Sequence, residues 1–245
     1  MDLFLDGFAW IFDPAHLSGP GGIWARIAEQ LSYTFGAVAI AAVIAIPLGL
    51  WIGHTGRGRD IAVLSSGGLR ALPSLGLLII FALGIGIGFK APLLTFVILA
   101  IPSLLSGAYA GVEAVDKRTV DAARAQGMTE WQVLTKVELP LGLPLLIGGI
   151  RSGVLQVVAT ATLAYFASGG ALGVFINDGL KTRDYAELIG ASIVVTALAL
   201  VLEGIFALLQ RLFVPRGVTA GQITEVRSRP VRPRAVVGSP IQEGK

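Results

Sequence analysis

The side chains that could carry out covalent or metal chemistry are few in this chain, and their spacing matches no familiar catalytic site. The 245 residues include no cysteine and only two histidines, which excludes thiolate nucleophiles and thiolate metal sites. The 16 carboxylates are mostly scattered, so we expect no dedicated metal site. No Gly-x-x-x-x-Gly-Lys-Ser/Thr segment is present, so the chain lacks the amide cradle and lysine that bind ATP phosphates in such loops. We expect no catalytic residue and no cofactor here; if ATP drives the activity, another subunit hydrolyses it.

The most informative polar segment of the chain runs from Glu113 to Pro140 and is called the 113–140 loop. Its residues have the pattern of two short helices. Asp116 can cap a first helix, and Gly127 can end that helix in a left-handed conformation. Thr129-Glu-Trp-Gln132 has the spacing of a capping box, so a second helix should begin at once. This helix should stop before Pro140, because proline disfavours helix in the residue before it.

The predicted helix–glycine–helix loop has features of a docking element. One side of its first helix carries small residues that would let it enter a groove, namely Ala122, Ala123 and Ala125. Apolar contacts are expected from Met128, Trp131 and Leu134, in a loop without a core of its own. A helix with apolar anchors can bind a groove on another protein. The alternative is that the loop packs only on its own bundle.

The composition indicates that the rest of the chain is an all-α membrane bundle. Apolar residues make up 54% of the chain and charged residues 14%, against about 25% charged in a soluble domain. A spanning helix needs about 20 mostly apolar residues, which gives about five transmembrane helices. The predicted spans cover residues 27–52, 72–88, 92–110, 141–167 and 188–213. Close packing between helices is expected at Gly84, Gly86 and Gly88.

The flanking segments and the loop charges predict the domain organisation and the topology. Residues 1–26 should form an external segment with a short interfacial helix anchored by Phe and Trp, residues 27–213 the membrane domain, and residues 214–245 a disordered basic tail that does not bind nucleic acid. One set of short loops carries Arg57, Arg59, Lys117, Arg118, Arg124 and Lys136. The opposite set carries Arg26, Lys90, Lys181 and Arg183 among more acids. The positive-inside rule then places the N-terminus outside and the C-terminus in the cytoplasm.

The 113–140 loop resembles the EAA loop of binding-protein-dependent ABC importer permeases. The family pattern is Glu-Ala-Ala, three residues, Gly, nine residues, then Ile-x-Leu-Pro; here it is Asp121-Ala-Ala-Arg-Ala-Gln-Gly127, nine residues, then Val137-Glu-Leu139-Pro140. Its flanks are similar to permeases for glycine betaine, choline, carnitine and proline-type osmoprotectants. The segments that carry this similarity include Ala45-Ile-Pro47-Leu-Gly49, Pro73-Ser74-Leu75, Gly149-Ile-Arg151 and Thr160-Ala-Thr162-Leu. The Gly169-Gly-Ala-Leu-Gly173 stretch departs from the family by one additional residue.

The resemblance implies a type I ABC importer transmembrane fold in a bacterial-type inner or plasma membrane. It implies a dimer of ABC ATPase subunits that binds ATP and Mg²⁺, a second permease subunit that is identical or paralogous, and an extracellular substrate-binding protein. The residues it implies at the ATPase contact are Asp121, Ala122, Ala123, Gly127, Met128, Trp131, Val137, Leu139 and Pro140.

Candidates for the translocation path are Ser74, Tyr109, Thr160, Thr162 and Tyr165. The tyrosine rings could face a quaternary ammonium, or they could be interfacial belt residues. The hydroxyls could line a path or bond to their own helix. Two other functions stay open: a permease for another small solute such as an amino acid, and an ion-coupled secondary transporter, which should show inverted repeats and mid-membrane carboxylates.

Overall fold

The computed structural model describes residues 2–60, 67–69 and 71–213 of the chain. The elements in the described residues are all helices. They are α1 (Asp2–Phe12), α2 (Pro14–Leu17), α3 (Ile23–Thr55), α4 (Ser74–Ile85), α5 (Lys90–Glu113), α6 (Lys117–Ala125), α7 (Glu130–Val133), a π-helical segment (Leu134–Glu138), α8 (Leu139–Ala161), a 3-10 turn (Thr162–Ala164), α9 (Tyr165–Ser168), α10 (Gly173–Thr182) and α11 (Tyr185–Phe213).

Four of the described helices are long and apolar enough to cross a membrane: α3, α5, the continuous helix Glu130–Ser168, and α11. The predicted all-α membrane bundle is confirmed. The second predicted span is shorter than expected, because α4 has 12 residues and is about 18 Å long, against about 30 Å for the hydrocarbon core. The helix begins directly after Pro73 and ends where Gly86 adopts a φ of +93°, a conformation that side chains with a Cβ rarely tolerate.

Helix α5 is central to the bundle, because α3 packs along it on one side and α8 on another. The three helices share one buried apolar cluster. Its members include Tyr33, Ala37 and Ala41 of α3, Phe96, Ala100 and Leu104 of α5, and Val154, Val157 and Val158 of α8. The alanines and valines of this cluster let the three helix backbones pack closely.

Glycines bring α5 and α8 into near backbone contact. A Cβ added to Gly107 would lie 2.6 Å from the Cα of Gly149, and one added to Gly111 would lie 2.7 Å from the carbonyl oxygen of Gly142. Only glycine allows so close an approach at these crossings. The sequence prediction chose the wrong glycines for this role. An added Cβ meets no described atom within 4 Å at Gly84, Gly86 or Gly88.

The predicted N-terminal helix is present as α1, and part of its expected orientation is wrong. The side chains of Phe4 and Phe8 are exposed, as expected for membrane anchors. Trp10 is buried instead, with its ring edge-on to Phe175 at 5.2 Å and close to Gly190 of α11. The missing Cβ of that glycine makes room for the indole, so Trp10 fastens α1 to the bundle. Whether α1 lies at a membrane surface stays a prediction.

The two predicted groups of basic residues lie at opposite ends of the bundle. At one end, Arg59 pairs with Glu113 at 3.2 Å, where α5 ends and the 113–140 loop begins. At the other end, Arg26 pairs with Glu29 at 2.8 Å near the start of α3. Which of these ends faces the cytoplasm stays a prediction. The expectations for the tail from residue 214 fall outside the described residues.

Candidate functional site

The first half of the 113–140 loop folds as its caps predict. The Asp116 carboxylate accepts a hydrogen bond from the Arg118 N–H at 2.9 Å and begins α6. At the other end Gly127 has a φ of +84°. The Gly127 N–H donates to the Arg124 carbonyl and the Met128 N–H to the Ala123 carbonyl, at 2.9 and 3.2 Å. These two bonds form a Schellman motif, which satisfies carbonyls that the end of a helix would otherwise leave unpaired.

The start of the second helix is also confirmed. The Thr129 hydroxyl accepts from the Gln132 N–H at 3.4 Å, and the Gln132 side-chain oxygen accepts from the Thr129 N–H at 2.9 Å. This reciprocal pair is a capping box. Gly127 and Thr129 together therefore reverse the chain within a few residues and leave little freedom in the turn.

The predicted stop before Pro140 is wrong, because the second helix continues into the membrane span. The chain passes from α7 through the π-helical segment Leu134–Glu138 directly into α8, with Pro140 in the first turn of α8. The Leu139 N–H donates five residues back, to the Leu134 carbonyl. The wider π turn accommodates the missing N–H and the ring of proline, whereas the sequence rule assumed the ordinary i−4 register. The loop and the span are one continuous helix, Glu130–Ser168.

The loop has a small core of its own, contrary to the sequence prediction. Val115, Val120, Ala123 and Val133 are buried together, and Met128 and Val137 pack against them. Ala123 therefore holds α6 onto α7 and does not belong to an outward-facing surface. Of the other predicted contact residues, Leu139 is half-buried, and the exposed ones are Asp121, Ala122, Gly127, Trp131 and Pro140. Trp131 is 72% exposed, which is unusual for so large an apolar side chain and is typical of a contact surface.

Ion pairs cross-link the two helices of the loop. The Arg124 guanidinium donates to both carboxylate oxygens of Glu130, with Nε–Oε1 at 3.0 Å and Nη2–Oε2 at 2.9 Å. It also lies 3.5 Å from Asp121. The hydrogen bond to Glu130 raises the pKa of the already basic Arg124 guanidinium. A two-pronged arginine–carboxylate pair fixes orientation as well as distance, so it sets the angle between α6 and α7.

The predicted path residues do not form one cluster. Tyr109 lines a cavity of about 430 Å³ next to the 113–140 loop. Tyr165 lies at the other end of the bundle, where its hydroxyl accepts from the Lys181 ammonium at 2.7 Å. That hydrogen bond raises the pKa of Lys181, and the ammonium also lies 5.1 Å from the centre of the Tyr165 ring.

The hydroxyls on α8 and the following turn bond to their own helix. Thr160 donates to the Gln156 carbonyl at 2.9 Å, and Thr162 donates to the Ala159 carbonyl at 3.2 Å. Of the two roles that the sequence allowed for these hydroxyls, lining a path or bonding to their own helix, the structure shows the second. Ser74 is half-buried at the first turn of α4. A role of these residues in the path stays a prediction.

The sequence did not predict two contacts made by charged side chains, those of Arg151 and of Glu29. Arg151 of α8 donates through Nε to Glu203 of α11 at 2.7 Å, and a second nitrogen of Arg151 contacts the other carboxylate oxygen. Near the start of α3, Glu29 accepts from the Ala171 N–H at 2.9 Å. Ala171 is the additional residue of the Gly169–Gly173 stretch and has a φ of +63°, so Glu29 holds the strained backbone that this residue introduces. Arg70 lies outside the described residues.

Comparison with known protein families matches residues 45–217 to the family described as "Binding-protein-dependent transport system inner membrane component". The chain belongs to this family. The matched region includes the whole 113–140 loop and all of α5, α8 and α11. The resemblance drawn from the residues around Gly127 and Pro140 is thereby confirmed.

Individual relatives and a solved structure agree with this assignment. The chain is 29% identical over 198 residues to the glycine betaine/carnitine/choline transport system permease protein OpuCB of Bacillus subtilis (strain 168), covering 81% of this chain and 91% of that protein. It is 30% identical over 190 residues to the carnitine transport permease protein OpuCB of Listeria monocytogenes, covering 78% and 87%. Its fold is similar to that of a chain of the MetNI methionine ABC transporter in an inward-facing conformation. The TM-score is 0.69 at 19% identity, over 79% of this chain and 96% of that chain. The predicted ABC importer permease fold is confirmed.

Proposed function

We propose that this chain is the permease subunit of an ATP-driven importer for quaternary-amine osmoprotectants such as glycine betaine, choline and carnitine. The observation that carries the proposal is the similarity, over about four-fifths of the chain, to permeases named for these solutes. A separate pair of ABC ATPase subunits binds ATP and Mg²⁺, and an extracellular binding protein delivers the solute. A second permease subunit, identical or paralogous, completes the path.

The 113–140 loop is the proposed contact with the ATPase. Asp121, Ala122 and Trp131 are exposed on it, while its buried core keeps α6 and α7 together as a unit. Because α7 continues through the π-helical segment into α8, a push on the loop displaces a membrane span without passing through a flexible joint. ATP binding in the partner subunits then biases the bundle between two states that open to opposite sides.

Co-purification tests the ATPase contact. The chain is expressed with a candidate ATPase and binding protein, and the Ala122→Trp variant is compared with Ala15→Trp, an exposed alanine of α2 outside the loop. We expect Ala122→Trp to lose the ATPase and Ala15→Trp to retain it, because only the first blocks the narrow face of α6. Retention of the ATPase by both variants would contradict the proposed contact.

Uptake into proteoliposomes tests the energy source and the solute. Glycine betaine, choline and methionine are offered with the binding protein outside, and ATP is enclosed on the ATPase side. We expect uptake of the quaternary amines, and we expect it to stop without ATP and to continue when ion gradients are collapsed. Uptake of methionine alone would identify an amino-acid permease. Uptake that follows an ion gradient and ignores ATP would identify a secondary transporter.

A further inference from the structure

His54 lies at the end of α3 and faces two carboxylates of the 113–140 loop. Its Nδ1 lies 2.6 Å from Oε2 of Glu138, and its Nε2 lies 3.1 Å from Oε2 of Glu130. The His54 side chain is 12% exposed and that of Glu138 is 6% exposed, so this contact is shielded from solvent. Each ring nitrogen of His54 thus lies within hydrogen-bonding distance of a carboxylate oxygen.

The two glutamates belong to different parts of the loop. Glu138 ends that segment, directly before α8, whereas Glu130 begins α7 and is held by Arg124 of α6. One imidazole therefore connects α3, through Glu130 and Arg124, to the helix that carries the exposed Asp121 and Ala122. It also connects α3, through Glu138, to the start of α8.

Apolar packing between α3 and the second helix of the loop is incomplete beside His54. A cavity of about 420 Å³ lies between α3 and the second helix of the loop, and His54 and Glu130 form part of its lining. Its other walls are mostly apolar and include Leu50 and Trp51 of α3 and Trp131 and Leu134 of the loop. Open space separates these walls, so the polar contacts of His54 with Glu130 and Glu138 set the spacing between α3 and the loop at this place.

We propose that His54 is a positioning residue that ties the 113–140 loop to the first long helix, so that displacement of the loop moves α3 together with α8. This inference rests on the proposed contact of the loop with the ATPase. His54 holds Glu130 and Glu138 and takes no part in ATP hydrolysis or solute binding.

The test uses the complete importer in proteoliposomes and three variants: His54→Phe, the double variant His54→Phe/Glu138→Met, and His16→Phe. His16 is the other histidine of the chain, contacts the Trp10 carbonyl far from the loop, and serves as the matched control. The thermal midpoint of the complex and the solute taken up per ATP hydrolysed are both measured. We expect His54→Phe to lower both quantities, because it leaves Glu138 buried without its partner.

The double variant separates positioning from stability. Removing both partners of a buried pair restores stability in many proteins, so its thermal midpoint should return towards wild type. The contacts of residue 54 with the loop are still missing, so uptake per ATP should stay about two- to thirtyfold below wild type, the range for residues that carry coupling. His16→Phe should keep the wild-type ratio. A wild-type ratio in His54→Phe or in the double variant would overturn the proposal. If Gly127→Val also transported normally, the proposed function of the loop itself would fail.

Discussion

Replacing Gly127 by valine tests whether the turn of the 113–140 loop must keep its conformation. Gly127 has a φ of +84°, and a Cβ built there meets no described atom within 4 Å. The substitution therefore introduces backbone strain without a steric clash against the described neighbours. For a β-branched residue in the left-handed region the cost is about 1–2 kcal/mol. At about 1.4 kcal/mol per factor of ten, the turned conformation becomes about five- to thirtyfold less populated relative to its alternatives.

The assay is ATP-dependent solute uptake at matched amounts of assembled protein. We expect Gly127→Val to insert and assemble but to lose most of its transport. Gly127→Asn should keep more transport, because asparagine tolerates left-handed conformations, and Gly127→Ala should lie between them. Gly148→Val is the matched control, since Gly148 lies in α8, also has open space around it and has no positive φ. Gly148→Val should transport normally.

The relative transport rates of these variants test the argument from backbone strain. If all three Gly127 variants transported at the wild-type rate, the left-handed turn would not matter for coupling. If Gly148→Val failed as badly as Gly127→Val, added bulk at the protein surface would explain both, and the argument from backbone strain would be wrong.

Three other predictions follow from the charges and the packing. The chain has no native cysteine, so an introduced cysteine can be labelled without background. A cysteine replacing Ser18 should react with an impermeant thiol reagent from outside, and one replacing Ser228 should not. The opposite labelling would overturn the predicted topology. Arg151→Ala should destabilise the bundle by about 1.5–3 kcal/mol in detergent unfolding, because the half-buried Glu203 loses its partner, whereas replacing both residues by methionine should cost less. Gly107→Val should lower the yield of folded protein, because even its Cβ would lie 2.6 Å from a backbone atom of α8; folding at wild-type yield would show that α5 and α8 can separate freely.

The sequence predicted the parts of the site that depend on near neighbours. Asp116, Gly127 and the pair Thr129 and Gln132 each act through hydrogen bonds that span five residues or fewer. Such interactions follow from residue type and spacing alone, so the caps and the turn could be placed correctly. The long spans were predictable for a similar reason, because hydrophobic length is a local property.

The contacts that join distant helices could not be found in this way. His54 and Glu138 are 84 residues apart, and Arg151 and Glu203 are 52 apart. A single sequence contains no signal that pairs them, since each residue taken alone is also compatible with a solvated or snorkelling side chain. The continuation through Pro140 was missed because the proline rule describes α-helical register, and five residues of π-helix avoid the conflict.

The pairing of these charges bears on where the solute is recognised. A quaternary ammonium keeps its charge at every pH, so a site that holds it tightly needs a free carboxylate or an open aromatic face. The carboxylate well inside the last long helix, Glu203, is committed to Arg151, and a cation, Lys181, already lies near the ring of Tyr165. A second cation next to either group would be repelled by the first. These two groups are thus poorly suited to tight binding, which agrees with the proposal that a separate binding protein, and not this subunit, selects the solute.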